Sequence, residues 1–577
     1  PMKNKHTPIW MSLLAGALLI LWLLPDQTRE LPKRNKASIG ALKCTVAKFL
    51  LDPPDSTQQI APLFENLGEY SFKVSTNNER AQAFFNQGMR LTFAFNHAEA
   101  HRSFMEAARL DPKSAMSYWG QAYALGPNIN DPLPDQERKE AAWKALKKAQ
   151  ANMPGGTELE QALIQALTAR YSDDWDFEAA QLNDAYLQEM VKVREAFPEN
   201  ADIQTLYAAA AMNTMPWNYW DSEGNPMPQT PEARKALEKG ISLNPKHPGA
   251  HHYYIHMVEL PHPDLGVPSA EVLGDLMPAA GHLVHMPSHI FIRVGRYKDA
   301  VEANHKAIAA DEDYISQCYS QGLYPLGYYP HNIHFLWSAS SLIGESNTAI
   351  SAAKKTAEKV PQGELEELTF LQDFAATPLL AYVRFGKWND ILTYPAPASE
   401  IRHLNLIRHY ARGLAFIRKN NASEAREELE AIQKIMEDPR TADIVAAAHN
   451  SSDKIARVAY EVVAGELAHL EGDSQKAIQH LKQAVAAEDA LTYTEPSAWH
   501  IPPRQSLGAI LMEVGAYTDA ESVYREDLER LRQNGWSLFG LSQALDAQGK
   551  EEEAKTVQKE FESVWQYSDI SIARSVF

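Results

Sequence analysis

The stretch FFNQGMRLTFAFNHAEAHRSFMEAARLDP, residues 84–112, decides the fold class. It contains two amphipathic helical patterns, with a turn around Asn96 between them. The stretch therefore predicts a hairpin of two helices. Small and large residues stand at fixed offsets within it, namely Gly88, Ala100, Phe104, Ala107 and Pro112.

The same offsets can be laid down again from several later positions, and the last two of these are one period of 34 residues apart. These starting positions are Gly281, Pro330, Leu406, Val458, Ile501 and Gly535.

These offsets resemble those of the tetratricopeptide (TPR) repeat, which uses a small residue for close helix packing and a proline to end the second helix. The blocks AFNHAEA, AGHLVHMPSHIF and YYPHNIHF are also similar to those of exported or membrane-anchored bacterial TPR proteins with histidine-rich repeats. The resemblance implies an all-α fold. It would be a TPR-type α-solenoid, a right-handed superhelix of helical hairpins that leaves a concave groove and follows an N-terminal anchor or signal segment.

Composition excludes several classes of function. The chain has 577 residues, of which 45% are hydrophobic and 22% charged, as expected of a packed protein. Its net charge of −19 would repel a phosphate backbone, so we expect no nucleic-acid partner. The two cysteines, Cys44 and Cys318, stand in no CxxC or CxH spacing, which argues against thiolate metal chemistry.

The N-terminal region predicts a membrane partner. Residues 9–24, IWMSLLAGALLILWLL, carry no charge and follow Lys3 and Lys5. We expect residues 1–25 to be an anchor or export signal, so that the body is extracytoplasmic, on the periplasmic side of the membrane, or secreted if the segment is cleaved. A linker (26–78), an N-terminal TPR array with long loops (79–365) and a C-terminal TPR array (366–577) would follow.

Histidines cluster in one part of the chain. Eleven of the twenty lie between His247 and His334. Many are three or four residues apart, which places their side chains on one face of a helix, as metal coordination by a helix requires. The candidate metal ligands are His252, His256, Glu259, His282, His285, His289, His331 and His334.

The repeat frame assigns these histidines to one surface. In the TPR family the first-helix positions 2, 5, 9 and 12 line the groove, so the resemblance implies that three successive repeats direct their imidazoles at one space. Pro287 complicates this assignment, because it lacks the N–H that would bond the carbonyl of Leu283 and should kink or end the helix.

Imidazole with an optional carboxylate suits a transition metal, and an extracytoplasmic site without thiolates favours copper, with zinc next. Seven histidines exceed one tetrahedral shell, so the alternatives are a dinuclear centre and one metal with additional orienting histidines. Histidines outside the three groups, such as His247, are expected to be ordinary satisfied polar residues. His251 occupies a position that the repeat normally fills with a large apolar residue, so a core role is open for it.

Two functions remain open. One is an exported or membrane-anchored TPR solenoid that binds a transition metal in its groove, as an oxidoreductase or a hydrolase. The alternative is a non-catalytic TPR scaffold that binds a peptide or protein in the groove. The chain contains no GxSxG, Walker, GxGxxG or HExxH motif, so no particular reaction is predicted.

Overall fold

The computed structural model describes residues 58–174, 178–317, 324–446 and 450–577. The predicted anchor, residues 1–25, and the first part of the predicted linker lie outside these residues. Within the described ranges, no helix is both long enough and apolar enough to cross a membrane.

Helices follow one another along the first half of the chain, and some of the connections are long, as between Asn213 and Thr230. They are α1 (Glu79–Phe93), α2 (His97–Leu110), α3 (Ala115–Leu125), α4 (Gln136–Asn152), α5 (Glu158–Thr168), α6 (Ala179–Ala196), α7 (Ala201–Asn213), α8 (Thr230–Leu243), α9 (Pro248–Val258), α10 (Pro263–Leu276), α11 (Gly281–His285), α12 (Pro287–Arg293) and α13 (Tyr297–Gln317). A short 3₁₀ turn (Met153–Gly155) follows α4, and a π-helical turn (Tyr324–Tyr328) precedes the next helix.

The second half continues in the same way. Its helices are α14 (Tyr329–Leu342), α15 (Ser346–Glu358), α16 (Leu371–Arg384), α17 (Trp388–Leu392), α18 (Arg402–Arg418), α19 (Ala422–Glu437), α20 (Ser452–Leu470), α21 (Ser474–Asp489), α22 (Pro503–Glu513), α23 (Tyr517–Arg530), α24 (Gly535–Ala547) and α25 (Glu551–Trp565). Two short strands, β1 (Val445–Ala446) and β2 (Asn450–Ser451), pair antiparallel, and 3₁₀ turns lie at Gln362–Glu364 and Pro439–Thr441.

The described residues divide into two compact units. The N-terminal unit comprises residues 58–291 and 303–329, and the C-terminal unit comprises residues 292–302 and 330–577. The predicted boundary between two arrays at residues 365 and 366 stays a prediction.

In both units, the two helices of a hairpin pack closely where a glycine of one helix lies against a large ring of the other. A Cβ on Gly88 would lie 2.5 Å from the ring of Phe104, and a Cβ on Gly508 would lie 2.4 Å from the ring of Tyr524. The two residues of each pair are sixteen positions apart in sequence, which is the offset that the repeat pattern predicts. The fold class predicted from the sequence, an all-α protein of TPR-type helical hairpins, is confirmed.

Local sequence signals explain where the helices begin and end. The Asn78 side chain accepts hydrogen bonds from the first backbone N–H groups of α1, and the Asn96 side chain accepts one from Glu99 at the start of α2. Pro287 acts as predicted: α11 ends at His285, and the proline begins the separate helix α12.

Candidate metal centre

Helix α9 places two imidazoles one turn apart on a buried face. His252 and His256 are 0% and 4% exposed. Pro248 begins this helix, and the next residue, Gly249, lies directly against a ring, since a Cβ there would come within 2.4 Å of Phe93. This close packing brings the end of α1 to α9, and the Nδ1–H of His252 donates to the carbonyl oxygen of Phe93 at 2.6 Å.

Helices α11 and α12 supply three further buried imidazoles, those of His282, His285 and His289. Gly281 begins α11 beneath the buried carboxylate of Asp311. A Cβ at position 281 would lie 1.9 Å from an oxygen of that carboxylate, so only glycine fits. Although the helix breaks at Pro287, all three histidines lie in helical turns on either side of it and none lies in a loop.

The first histidine group is His252, His256 and His282. Each can offer one ring nitrogen such that all three nitrogens lie within 4.8 Å of one another. The Nε2 atoms of His252 and His256 are 3.1 Å apart. We call these residues the three-histidine group.

A second pair of imidazoles, His285 and His289, has the same arrangement. Their Nε2 atoms are 3.0 Å apart. On the other side of the His285 ring, Nδ1 lies 2.7 Å from Asn304 Oδ1 and 3.2 Å from the Ser288 hydroxyl. That hydroxyl donates its own proton to the carbonyl of His285 at 2.7 Å, so it can only accept from Nδ1. In the neutral ring of His285, Nδ1 therefore carries the proton and Nε2 carries a lone pair.

Glu259 lies between the two groups, immediately after α9. Its carboxylate is 3.0 Å from His289 Nδ1 and 3.6 Å from His256 Nδ1. Burial raises the pKa of Glu259, but His289 and His256 outweigh that effect and lower it to about 2, so the group is an anion. The carboxylate approaches both imidazoles from the Nδ1 side, which is the side that orients a histidine rather than the side that shares a ligand set with it.

The α9 imidazoles are electrically neutral near pH 7. Burial, and then the neighbouring His256, lower the pKa of His252 well below its ordinary value. Burial also lowers the pKa of His256, against the opposing pull of Glu259. Because a metal binds the unprotonated nitrogen, a lowered pKa leaves these side chains ready to coordinate.

Aromatic rings pack around the three-histidine group. The ring of Phe95 lies 4.3 Å from that of His252 and stacks on His256 at 5.9 Å. Trp217 meets His256 edge-on at 4.9 Å. Both aromatic residues have a positive φ, 56° and 59°, in tight turns before α2 and after α7. A bulky residue is strained there, and this backbone geometry has no signal in the sequence.

A small cleft lies next to this region within the N-terminal unit. It is bordered by Asn96, which follows Phe95, and by Ala280, which precedes α11. Tyr324 forms another part of its wall and donates a hydrogen bond to Asp311 at 2.8 Å. The cleft therefore reaches the backbone beside the buried histidines.

Two sequence candidates remain, His331 and His334. His331 and His334 belong to the C-terminal unit. Within that unit, the ring of His334 stacks on Trp337 at 5.3 Å and meets His500 edge-on at 4.9 Å. The prediction that three repeats direct their histidines at one space stays a prediction.

Two histidines expected to be ordinary polar or core residues have such surroundings. His247 caps α9 by accepting from the N–H of Ala250 at 3.1 Å. His251 contacts the Ser269 hydroxyl and the carbonyl of Pro245, each at 2.9 Å.

No family model matches the chain, and no curated protein matches it in sequence. Solved structures with partial similarity include the human IFIT1 dimer with m7Gppp-AAAA (13% identity, covering 85% of this chain and 91% of that chain, TM-score 0.28). Others are the APC/C hetero-tetramer Cut9–Hcn1 (11% identity, 86% and 80%, TM-score 0.33) and yeast Tom70 (13% identity, 84% and 93%, TM-score 0.25). At these scores, the similarities support no inference about ligands or partners.

Proposed function

We propose that the N-terminal unit binds a transition-metal ion through His252, His256 and His282, with copper favoured and zinc next. Three imidazoles leave at least one coordination position open, which is the arrangement of a catalytic rather than a closed structural site. The proposal includes export or anchoring of the chain through residues 9–24, for which the sequence alone is the support.

The single observation that carries the proposal is the position of His256 between two acceptors. The carbonyl of Phe93 takes the Nδ1 proton of His252, so the Nε2 of His252 presents a lone pair to the Nε2 of His256. On its other side, His256 faces the carboxylate of Glu259. A neutral imidazole has one proton and satisfies one of these acceptors, and burial lowers the pKa that a second proton would need.

A metal ion resolves this conflict without a second proton. His256 then turns its N–H to the carboxylate, while the Nε2 atoms of both α9 histidines bind the ion. The observed Nε2–Nε2 distance of 3.1 Å suits this role, since adjacent ligands at about 2.0–2.1 Å from one metal are about 2.9 Å apart at right angles and about 3.3 Å apart at tetrahedral angles.

The test is metal binding by the whole purified chain, stripped with a chelator and titrated separately with Cu²⁺ and Zn²⁺. We expect tight binding by the natural chain and a loss of affinity of at least about 100-fold in the His252→Ala/His282→Ala variant, since two ligands are removed. The matched control is His251→Ala, a buried histidine of the same helix whose partners lie outside the group. Absence of binding by the natural chain, or equal loss in the control, would refute the metal site.

Peptide binding is a second candidate function, and a feature of the C-terminal unit favours it. Residues 573–577 follow a non-helical path over α18, α22 and α24. The hydroxyl of Ser575 donates to the carbonyl of Gln505 at 2.8 Å, and Arg418 donates to the carbonyl of Phe577 at 2.8 Å. The Phe577 ring meets Trp536 edge-on at 5.9 Å. This surface thus already accommodates a short peptide segment.

We infer that a partner peptide of similar chemistry, with an aromatic side chain and a hydroxyl group, exchanges with residues 573–577 on that surface. The probe is a fluorescent peptide of residues 570–577, and the variant Ser575→Ala/Phe577→Ala should bind it at least about tenfold more tightly than the natural chain, because the internal competitor is weakened. Tyr567→Ala, at a side chain that is 42% exposed, is the control. Failure of the peptide to bind any of these chains would exclude this function.

A further inference from the structure

The His285–His289 pair repeats the conflict that carries the first metal site. The Nδ1 proton of His285 is directed to Asn304 and Ser288, so its Nε2 presents a lone pair to His289 Nε2 at 3.0 Å. His289 also faces an anion at its other nitrogen, with Glu259 at 3.0 Å from Nδ1. His289 therefore has two acceptors and, when neutral, one proton.

The same carboxylate, that of Glu259, is one of the two acceptors around His256 and one of the two around His289. Glu259 lies on the Nδ1 side of both rings, 3.6 Å from His256 Nδ1 and 3.0 Å from His289 Nδ1. The Nε2 atoms of the two rings face His252 and His285 respectively.

The two groups are neighbours. The rings of His256 and His289 are 5.6 Å apart and perpendicular, and those of His282 and His285 are 5.9 Å apart. All these residues, with Glu259 and Asn304, belong to the N-terminal unit and are buried.

We propose that His285 and His289 bind a second transition-metal ion beside the first, and that Glu259 is the positioning residue that orients one ligand of each ion. This inference rests on the proposed function of the three-histidine group and extends it to a two-metal centre. Two neighbouring metal ions can bind one substrate between them.

Stoichiometry of the whole chain tests the proposal, with Zn²⁺ alone as the probe and elemental analysis as the readout after gel filtration. We expect two equivalents in the natural chain and one in His285→Gln/His289→Gln. We also expect one equivalent in His252→Gln/His282→Gln, since this change leaves the second pair intact. Glutamine keeps the side chain polar and close in size, and circular dichroism must show natural helix content in each variant.

The possible outcomes separate the two proposals. Zero equivalents in the natural chain refute both the first site and the second. One equivalent, lost in the His252/His282 variant and kept in the His285/His289 variant, supports the first site and overturns the second.

A second measurement does not need any variant to fold. Loading the natural chain with two equivalents of Cu²⁺ should give an electron paramagnetic resonance spectrum broadened by coupling between neighbouring ions. A spectrum of two isolated Cu²⁺ ions would overturn the two-metal centre.

Discussion

The two units bury histidines on similar helices, yet they give them different partners. In the N-terminal unit, His252 and His256 turn Nε2 towards each other because backbone or carboxylate oxygens lie on their Nδ1 sides. In the C-terminal unit, His403 has a hydroxyl on one ring nitrogen and Asp373 at 3.6 Å from the other. His500 lies against the Trp337 ring at 4.2 Å.

The difference shows that burial and helical spacing do not by themselves make a ligand set. Both ring nitrogens of His403 face oxygen atoms, and neither faces a second imidazole. A histidine with its Nδ1 proton already directed to an oxygen has a lone pair to offer. Which case applies is decided by what lies on the far side of the ring.

The largest expected effects concern what the two units share. Phe104→Ala and Tyr524→Ala each remove a buried ring that fills the space beside two glycines, and each should lower the free energy of unfolding by about 3–5 kcal/mol. Thermal melting followed by circular dichroism measures this, with Val514→Ala, a 42% exposed site, as a control that should change stability little. A clear loss in one unit and none in the other would show that the repeats pack differently.

The next prediction sets one histidine of each unit against the other. His256→Ala should weaken Zn²⁺ binding by at least about 100-fold, because it removes a ligand and releases Glu259 from its partner. His500→Ala should leave the affinity within about twofold, since its neighbours are Trp337 and His334. Competition with a chromophoric chelator measures both, and similar losses in the two variants would contradict the contrast between the units.

Substituting a carboxylate should also lower the metal affinity in the N-terminal unit only, and by less than substituting a histidine does. Glu259→Gln keeps the size of the side chain but removes the charge that orients His256 and His289, so metal affinity should fall about 10–100-fold. Asp373→Asn should leave it unchanged. The same competition assay measures the affinity of both variants. An unaltered affinity in Glu259→Gln would show that Glu259 does not orient the histidines.

The smallest expected effects concern how the stability of each unit depends on pH. Burial, with help from Arg138 and Arg170, lowers the pKa of His97 in the N-terminal unit from 6.5 to about 3. Between these two pH values, His97 is protonated in the unfolded chain but not in the folded one. The free energy of unfolding therefore falls as the pH drops below 6.5 towards 3. Burial, with help from Asp527, raises the pKa of Glu488 in the C-terminal unit from 4.5 to about 8. Its stabilising contribution is complete below pH 4.5 and is lost as the pH rises to 8.

His97→Gln should therefore reduce the acid sensitivity, and Glu488→Gln should reduce the loss of stability between pH 4.5 and 8. Each effect should be about 1–2 kcal/mol, within the range of most single substitutions. Melting curves at a series of pH values check the two separately. An unchanged pH profile in either variant would show that the corresponding side chain titrates normally.

Much of the fold was predictable from local pattern. The offset between Gly88 and Phe104 is a property of one helical hairpin, so it appears in sequence wherever that hairpin repeats. The break at Pro287 was predictable for the same reason, because a missing N–H acts within its own helix. The spacing of His252 and His256, and of His285 and His289, likewise placed each pair on one face of a helix.

The roles within the candidate site were much less predictable. Glu259 was expected among the ligands because it shares a face with His256, yet its carboxylate lies closest to His289, thirty residues later. The Phe93 carbonyl that orients His252 is a backbone atom 159 positions away, and any residue at that position would carry it. Phe95 and Trp217 lie against the histidines because their turns have positive φ angles, which the residue types at these positions do not predict.

The sequence by itself determined the helical hairpins and the faces on which the histidines lie, because both follow from interactions within one or two turns of helix. The tertiary structure alone decided which nitrogen of each imidazole faces an oxygen and which faces another imidazole. That choice depends on an oxygen brought to the opposite side of the ring by another helix, as Gly249 brings α1 to α9 and as Glu259 meets both α9 and α12. A ring nitrogen becomes a ligand through its distant neighbours, and those are set by packing rather than by spacing along the chain.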